Sequence, residues 1–489
     1  MLQLKFRNPA SQKTEMLVIP VCEDTDIVDD PIVSAAADQA RKLNEFNGAR
    51  GDNLILYTPP QFRATRVLLL GLGPAGKVEP ETLRSLAGRA AGHGINRKLT
   101  QMTLVIPAAE KIPLAPDVTL EAMLEGACLA NHRFDRYRME KDSKPLKRIQ
   151  FCVSPRIGRK FRNLPGRVAA TCRGTILARN WVNIPANDKK PAEFARTIMR
   201  LAEKERLKSK LLGKKELQQK KFGAILAVAA GSRAAPAMLI LDHQPQGAKQ
   251  TVVLVGKGVT FDSGGVNLKS STFLNLMKSD MAGAAAVAAT MLTVARQQTR
   301  LRVVGLMPLV ENMLSATATR PGDIIRSYSG KTVEIGNTDA EGRLILADAI
   351  SYAVQKYRPQ VLIDMATLTG ACVMALGEGM AGLFSDDDEL AQTIIQSGAK
   401  THERCWRMPL PEDYKKLLKS DLADINNMPK SRWGGAITAA LFLSEFVTKT
   451  RWAHIDIAGP AYRKKGNDYC GPGATGFGVR LLCDFLGRI

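Results

Sequence analysis

The sequence predicts an α/β protein of two domains, on three observations. The chain has 489 residues, more than one hydrophobic core takes before chains divide. Apolar runs of strand length alternate with helical stretches, the pattern of largely parallel sheets crossed over by helices. Between two such alternations a basic stretch leads into a long helical pattern that stops at Asn183-Ile184-Pro185, because the residue before a proline resists helical geometry. These features place an N-terminal α/β domain at residues 1–160, a connecting helix at 161–185 and a larger α/β domain at 186–489.

The elements follow in order. In the first domain, residues 16–21, 53–57, 66–70 and 102–106 read as strands, and 78–93 and 120–133 have helical spacing. Residues 167–182 form the connecting helix. In the second domain, 224–229, 237–242, 251–255, 302–309 and 361–366 read as strands. Residues 282–294 form a helix of small residues, and a strand at 332–335 is followed by a helical pattern over 344–357. No internal repeat or low-complexity tract interrupts the pattern.

Bulk composition excludes several classes. No apolar run approaches the roughly 20 residues a membrane helix needs, and the first residues lack a basic segment followed by an apolar one, so no secretory signal is expected. Eight cysteines without a CxxC pair do not make a disulfide framework or a zinc knuckle, so reduced thiols in a cytoplasmic protein are expected. The net charge of +22 is concentrated: residues 131–170 hold twelve Lys or Arg against Asp135, Glu140 and Asp142, and residues 189–221 hold twelve against four acids. Such an excess attracts nucleic acid by counterion release. No nucleic-acid fold accompanies it, so a solvated basic surface is the first reading and a nucleic-acid-binding role of the basic N-terminal third the alternative.

Motifs narrow the chemistry. Gly71-Leu72-Gly73-Pro74-Ala75-Gly76-Lys77 satisfies GxGxxG, but a dinucleotide site wants an acid about 20 residues later and a P-loop wants a hydroxyl where Val78 stands. It reads as a tight strand-to-helix turn. Neither GxSxG nor HExxH occurs. The informative stretches are Asn337-Thr338-Asp339-Ala340-Glu341-Gly342-Arg343-Leu344 and Gly256-Lys257-Gly258-Val259-Thr260-Phe261-Asp262-Ser263-Gly264-Gly265, the latter continuing through Lys269 to Met277-Lys278-Ser279-Asp280-Met281. The first lies between a strand and a helix, where catalytic residues often sit.

Together these stretches resemble the leucyl (cytosol) aminopeptidase family of two-metal exopeptidases. So do Ala178 to Pro185, Ala366-Thr367-Leu368-Thr369-Gly370-Ala371, Trp433 to Ala440, Trp452 to Gly459 and Gly473 to Gly478. The resemblance is dense from about residue 175 onward and faint before it. Departures are few: Asn180-Trp181 stands where an acid and a leucine are usual, and Ser270-Ser271 follows the lysine where Pro or Ala is frequent.

The resemblance implies a larger catalytic domain with a mixed central sheet flanked by helices. It also implies two divalent cations: Lys257, Asp262, Asp280 and Glu341 on the tighter one, and Asp262, Asp339 and Glu341 on the more exchangeable one. The chemistry agrees. Four carboxylates in one pocket would repel one another unless cations neutralised them, and oxygen ligation without Cys suits zinc, manganese or magnesium. A lysine ligates only when neutral, which a neighbouring dication makes accessible. Further implications are Lys269 as oxyanion stabiliser, Arg343 at a helix start as the holder of a bicarbonate that acts as general base, and a metal-bridging water as nucleophile. Met277, Thr367, Leu368 and Gly370 align with the first-residue pocket, which favours leucine-like side chains with broad tolerance. His454 and Asp456, on an apolar strand, are expected to be structural. The implied activity is release of N-terminal apolar residues from peptides, and the implied assembly is a homohexamer, a dimer of trimers.

Overall fold

A computed structural model describes residues 2–6, 8–42, 46–140 and 144–489; Asp142 of the basic stretch lies outside the described residues. The chain divides into two compact units. One comprises Met1–Arg173 with Lys464–Pro472, the other Gly174–Arg463 with Gly473–Ile489. The division falls inside a helix, Leu164–Asn183.

The first unit is built on a six-stranded sheet. Its strands are β1 (Leu2–Lys5), β2 (Leu17–Val21), β3 (Asn53–Tyr57), β4 (Arg66–Gly71), β5 (Gln101–Val105) and β6 (Arg148–Cys152), in the order β1-β6-β5-β2-β4-β3. All neighbours pair parallel except β3 with β4. The central strands read as unbroken apolar runs because both faces are covered; every residue of β2 is buried. Helices Pro80–Asn96 and Pro116–Ala130 match the two expected ones, each starting on a proline that needs no N–H partner at that position. The GxGxxG stretch is a turn after β4, and it closes on a short 3-10 helix, Ala75–Lys77.

The second unit carries a nine-stranded mixed sheet and a smaller three-stranded one. Its strands are β7 (Lys208–Gly213), β8 (Ala237–His243), β9 (Thr251–Gly256), β10 (Gly258–Asp262), β11 (Arg302–Asn312), β12 (Ile324–Arg326), β13 (Thr332–Glu334), β14 (Val361–Ala366), β15 (Ala381–Phe384), β16 (Cys405–Arg407), β17 (Ile425–Asn426) and β18 (Arg451–Asp456). The large sheet runs β16-β15-β18-β14-β9-β11-β8-β7 with β10 beside β11, and β12-β13-β17 form the small one. The core strands β18, β14, β9 and β11 are mutually parallel, so their carboxyl ends open on one edge of the sheet. Ligands of open α/β sheets bind outside such an edge.

Two expectations are corrected. Residues 224–229 are not a strand but the helix Gly223–Val228; an apolar run this short is ambiguous by periodicity. The buried Asp348 carboxylate settles it by accepting the orphan N–H groups of Ala224 and Ile225 at 2.9 and 3.0 Å. Asp262, which the sequence places on the loop after the 251–255 strand, with Gly264-Gly265 beside it, is instead the last residue of β10. Among the described residues no helix is long and apolar enough to cross a membrane.

Candidate metal centre

The site lies at the carboxyl edge of the parallel core. Lys257 follows β9, Asp262 ends β10, Asn312 ends β11, Thr367 follows β14 and Asp456 ends β18. Two helices complete it. Ala282–Gln297 approaches the strands because its residues are small: a Cβ on Gly283 would meet Met365 O at 2.0 Å and Lys257 N at 2.9 Å. That approach presents Asp280, just before the helix. The helix Glu341–Tyr357 places Glu341 in its first turn, where the macrodipole favours a carboxylate.

Asp262, Asp280 and Glu341 offer carboxylate oxygens that lie within 4.8 Å of one another, and all three residues are buried. Lys257 Nζ stands 2.8 Å from Asp280 Oδ1 and 2.9 Å from Glu341 Oε1, and donates to Thr367 O at 2.9 Å. Asp339, half-buried, joins through Lys269, whose Nζ is 2.9 Å from Asp262 Oδ2 and 2.5 Å from Asp339 Oδ1. The structure therefore gathers Lys257, Asp262, Lys269, Asp280, Asp339 and Glu341 into one cluster. Arg343 is buried in the first turn of the same helix, and its Nη1 donates to Asn427 O at 2.7 Å.

The electrostatics follow from burial. Desolvation alone would lower Lys257, but Asp280, Glu341 and Asp262 outweigh it and hold the ammonium above its ordinary range. Lys269 is raised in the same way by Asp262, Glu341 and Asp339 against its own burial. Burial raises Asp280, Glu341 and Asp339, with the lysines opposing, and lowers Arg343 to about 10. Two ammonium groups cancel only half of the formal charge of four carboxylates. Asp280 Oδ2 and Glu341 Oε2 are buried and find no hydrogen-bond partner among the described residues, although buried polar groups are ordinarily satisfied. Orphaned anionic oxygens beside an uncancelled negative charge suit cations, and this all-oxygen set with one amine suits hard or borderline divalent ones.

Several supports escaped the sequence reading. Asn312 Nδ2 donates to Asp262 Oδ1 at 2.8 Å and to Thr338 O at 3.0 Å. Gly264, at φ +88°, folds back so that its N–H meets the same Asp262 oxygen at 2.9 Å. Thr338 and Asn267 exchange bonds of 2.9 Å, locking the Lys269 loop to the Asp339 loop. A polar residue closing the long apolar run of β11 was the available signal for Asn312; Asn427, just after the two-residue strand β17, had none.

The expected pocket residues divide. Thr367 Oγ1 donates to Asp280 Oδ1 at 2.8 Å, so it braces the centre itself. Leu368 is half-buried against the core, Gly370 is exposed at the start of a helix, and Met277 is half-buried in the 3-10 turn Met277–Ser279. Asp456 holds the Leu368–Thr369 segment, accepting from Leu368 N at 3.1 Å and Thr369 Oγ1 at 2.7 Å. His454 is buried, with Nδ1 2.5 Å from Asp364 Oδ1.

Residues 176–483 match the model of the cytosol aminopeptidase family, catalytic domain, and residues 23–141 that of the family's N-terminal domain. A probable cytosol aminopeptidase of Chlorobium phaeobacteroides is 41% identical over 97% of each chain. One from a Geobacter species is 38% identical over 100% of this chain and 99% of the relative. The bottromycin maturation enzyme BotP, solved in complex with Mn, superposes with a TM-score of 0.87 at 34% identity, over 97% of this chain and 99% of that one.

Proposed function

The chain belongs to the cytosol aminopeptidase family and is therefore a metal-dependent aminopeptidase; from that premise we propose how its residues divide the work. The observation that carries the reading is the convergence of Asp262, Asp280 and Glu341 with Lys257 and Lys269 between them and Asp339.

Lys257, Asp262, Asp280 and Glu341 would hold one divalent cation, and Asp262, Asp339 and Glu341 the other, zinc or manganese before magnesium. Such a pair, when bound, supplies Lewis acidity that polarises a carbonyl and activates water at neutral pH. Lys257 would release its proton and its carboxylate partners on ligation. Lys269 stays charged, is partly exposed, and donates to the oxyanion as the scissile carbonyl becomes tetrahedral. Arg343, buried at the start of its helix and steadied by Asn427 O, would hold a bicarbonate that takes the proton of the attacking water. No histidine stands in the cluster to do so. The peptide's free α-amine anchors at the carboxylate centre, which restricts cutting to the N-terminal residue. Met277, Thr367, Leu368 and Gly370 would form the pocket for that residue, with preference for leucine-like side chains. Assembly into a homohexamer in the cytoplasm follows from the family reading, and exposed Trp406, Leu422 and Trp433 would offer apolar area for subunit contacts.

The test is turnover of leucyl-p-nitroanilide against p-nitrophenyl phosphate, before and after chelation and with Mn2+ restored. Amide cleavage lost on chelation and regained with the metal is expected; full turnover by stripped enzyme, or cleavage of the phosphate ester instead, overturns the reading. Omitting bicarbonate should slow turnover, and equal rates with and without it would remove Arg343 from its role.

A further inference from the structure

Lys189 and Lys190 are adjacent in a basic stretch, yet their environments are opposite. Lys190 is exposed, while Lys189 is 1% exposed. Among the described residues no carboxylate pairs with the Lys189 ammonium; its three donors meet three backbone carbonyls, Trp181 O at 3.0 Å, Val182 O at 3.4 Å and Lys278 O at 2.8 Å. Burial pushes the group down to about 7, so keeping an amine here is costly. Two of the acceptors belong to the last turn of the helix Leu164–Asn183, where carbonyls are orphaned and the helix dipole favours a cation. Capping alone does not require a buried lysine, because glycine or water caps most helices.

The third acceptor gives the reason. Lys278 is the middle residue of the turn Met277–Ser279, which sets Met277 on one side and Asp280 on the other. The turn is closed locally by Ser279 Oγ donating to Leu276 O at 2.6 Å, and it is tied to β10 by Val259 N donating to Asp280 O at 3.2 Å. Within this network Lys189 is the link to the end of a 20-residue helix, a rigid reference.

We propose that Lys189 is a positioning residue: its ammonium staples the Met277–Asp280 turn to the C-terminus of the Leu164–Asn183 helix, and so sets both the metal affinity of Asp280 and the shape of the first-residue pocket at Met277. The proposal rests on the two-metal aminopeptidase reading of the same site. Removing the staple leaves Asp280 in the chain but free to drift, and residues that orient metal ligands typically govern affinity by roughly 10–100-fold.

The experiment compares Lys189→Met, which keeps the stem and loses the donors, and Lys189→Gln, which keeps some, with Ile394→Ala. The last opens a cavity on the helix Asp388–Thr401, which carries no residue of the site. Mn2+ affinity is read by titration calorimetry, thermal midpoint by denaturation, and kcat and KM for leucyl-, methionyl- and alanyl-p-nitroanilide in parallel. For Lys189→Met, Mn2+ binding weaker by roughly tenfold or more and an altered leucine-to-alanine preference are expected, with Lys189→Gln intermediate. Ile394→Ala should lose stability with neither change. If the lysine variants merely lose stability as Ile394→Ala does, the staple is only a helix cap and the proposal is overturned. Should Lys189→Met fail to fold, Lys189→Gln decides on the same readouts. Wild-type protein that binds no Mn2+ and cleaves no anilide would instead sink the underlying two-metal reading.

Discussion

Adding one methyl group at Gly342 tests the geometry of the centre more sharply than removing a ligand. Gly342 is the second residue of the helix Glu341–Tyr357, so alanine there should by propensity alone stabilise the helix by about 0.5–1 kcal/mol. The structure opposes that expectation. A Cβ at this position would stand 2.4 Å from Lys257 Cε, 2.7 Å from its Nζ and 2.9 Å from its Cδ. Ordinary contact between carbons begins near 3.5 Å, so the lysine stem must retreat by about 1 Å. Lys257 is 3% exposed, and its tip is held by Asp280, Glu341 and Thr367 O, so a retreat of the stem pulls the ammonium off those partners. Overpacking of this kind costs about 1–3 kcal/mol, so the net stability change is small or moderately unfavourable. The functional change is larger: a displacement of about 1 Å in a reacting constellation costs roughly 100-fold. Gly342→Ala should keep its secondary structure by circular dichroism and lose roughly 100-fold in kcat/KM for leucyl-p-nitroanilide at saturating Mn2+. Wild-type turnover with an unchanged Mn2+ affinity would mean that Lys257 takes no part in the centre.

The remaining predictions concern single groups. Asp280→Asn removes one of three converging carboxylates while keeping the shape that accepts Thr367 Oγ1, so Mn2+ affinity should fall by more than roughly tenfold in a calorimetric titration; unchanged affinity excludes Asp280 as a ligand. Lys269→Met should lower kcat by roughly 10²–10³ with metal content retained by elemental analysis, and a change confined to KM would assign it to binding instead. Asp348 is raised by burial to about 7, against the pull of three backbone N–H groups. Between an unfolded value near 3.8 and about 7 the folded protein therefore holds a proton that the unfolded chain has released, and stability falls as pH rises through that window. Asp348→Asn should flatten this slope in thermal midpoints taken from pH 4.5 to 8, and an equal slope in both proteins places the pH dependence elsewhere.

What was legible in the sequence was what local chemistry encodes. Strands β9 and β14 announce themselves because parallel strands covered on both faces must be apolar throughout, and each expected start matches the structure at Thr251 and Val361. The six clustered residues were legible because their motifs concentrate unusual chemistry, two acids and an arginine within five residues and a lysine between glycines. Residues 224–229 misled because six apolar residues carry no period long enough to distinguish strand from helix; the deciding partner, Asp348, is 124 residues away from Ala224. Asn427, which steadies Arg343, was invisible for the same reason: its bonds to Gly336 N and Arg343 Nη1 exist only once the chain has folded.

Lys189 carries that reasoning one step further. Read as composition, it was one of twelve basic residues in a stretch expected to face water, and charge counting cannot separate it from Lys190. The fold separates them completely, because the three carbonyls that receive its ammonium come from the end of one helix and from a turn 89 residues after Lys189. A net charge therefore overstates the basic surface by any lysine the backbone absorbs, and Lys257 and Lys269, engaged by the carboxylate cluster, are absorbed too. The basic residues to which we assign a part in the site are those withdrawn from the solvent-facing excess, held where an unpaired cation would be unstable without the groups that face it.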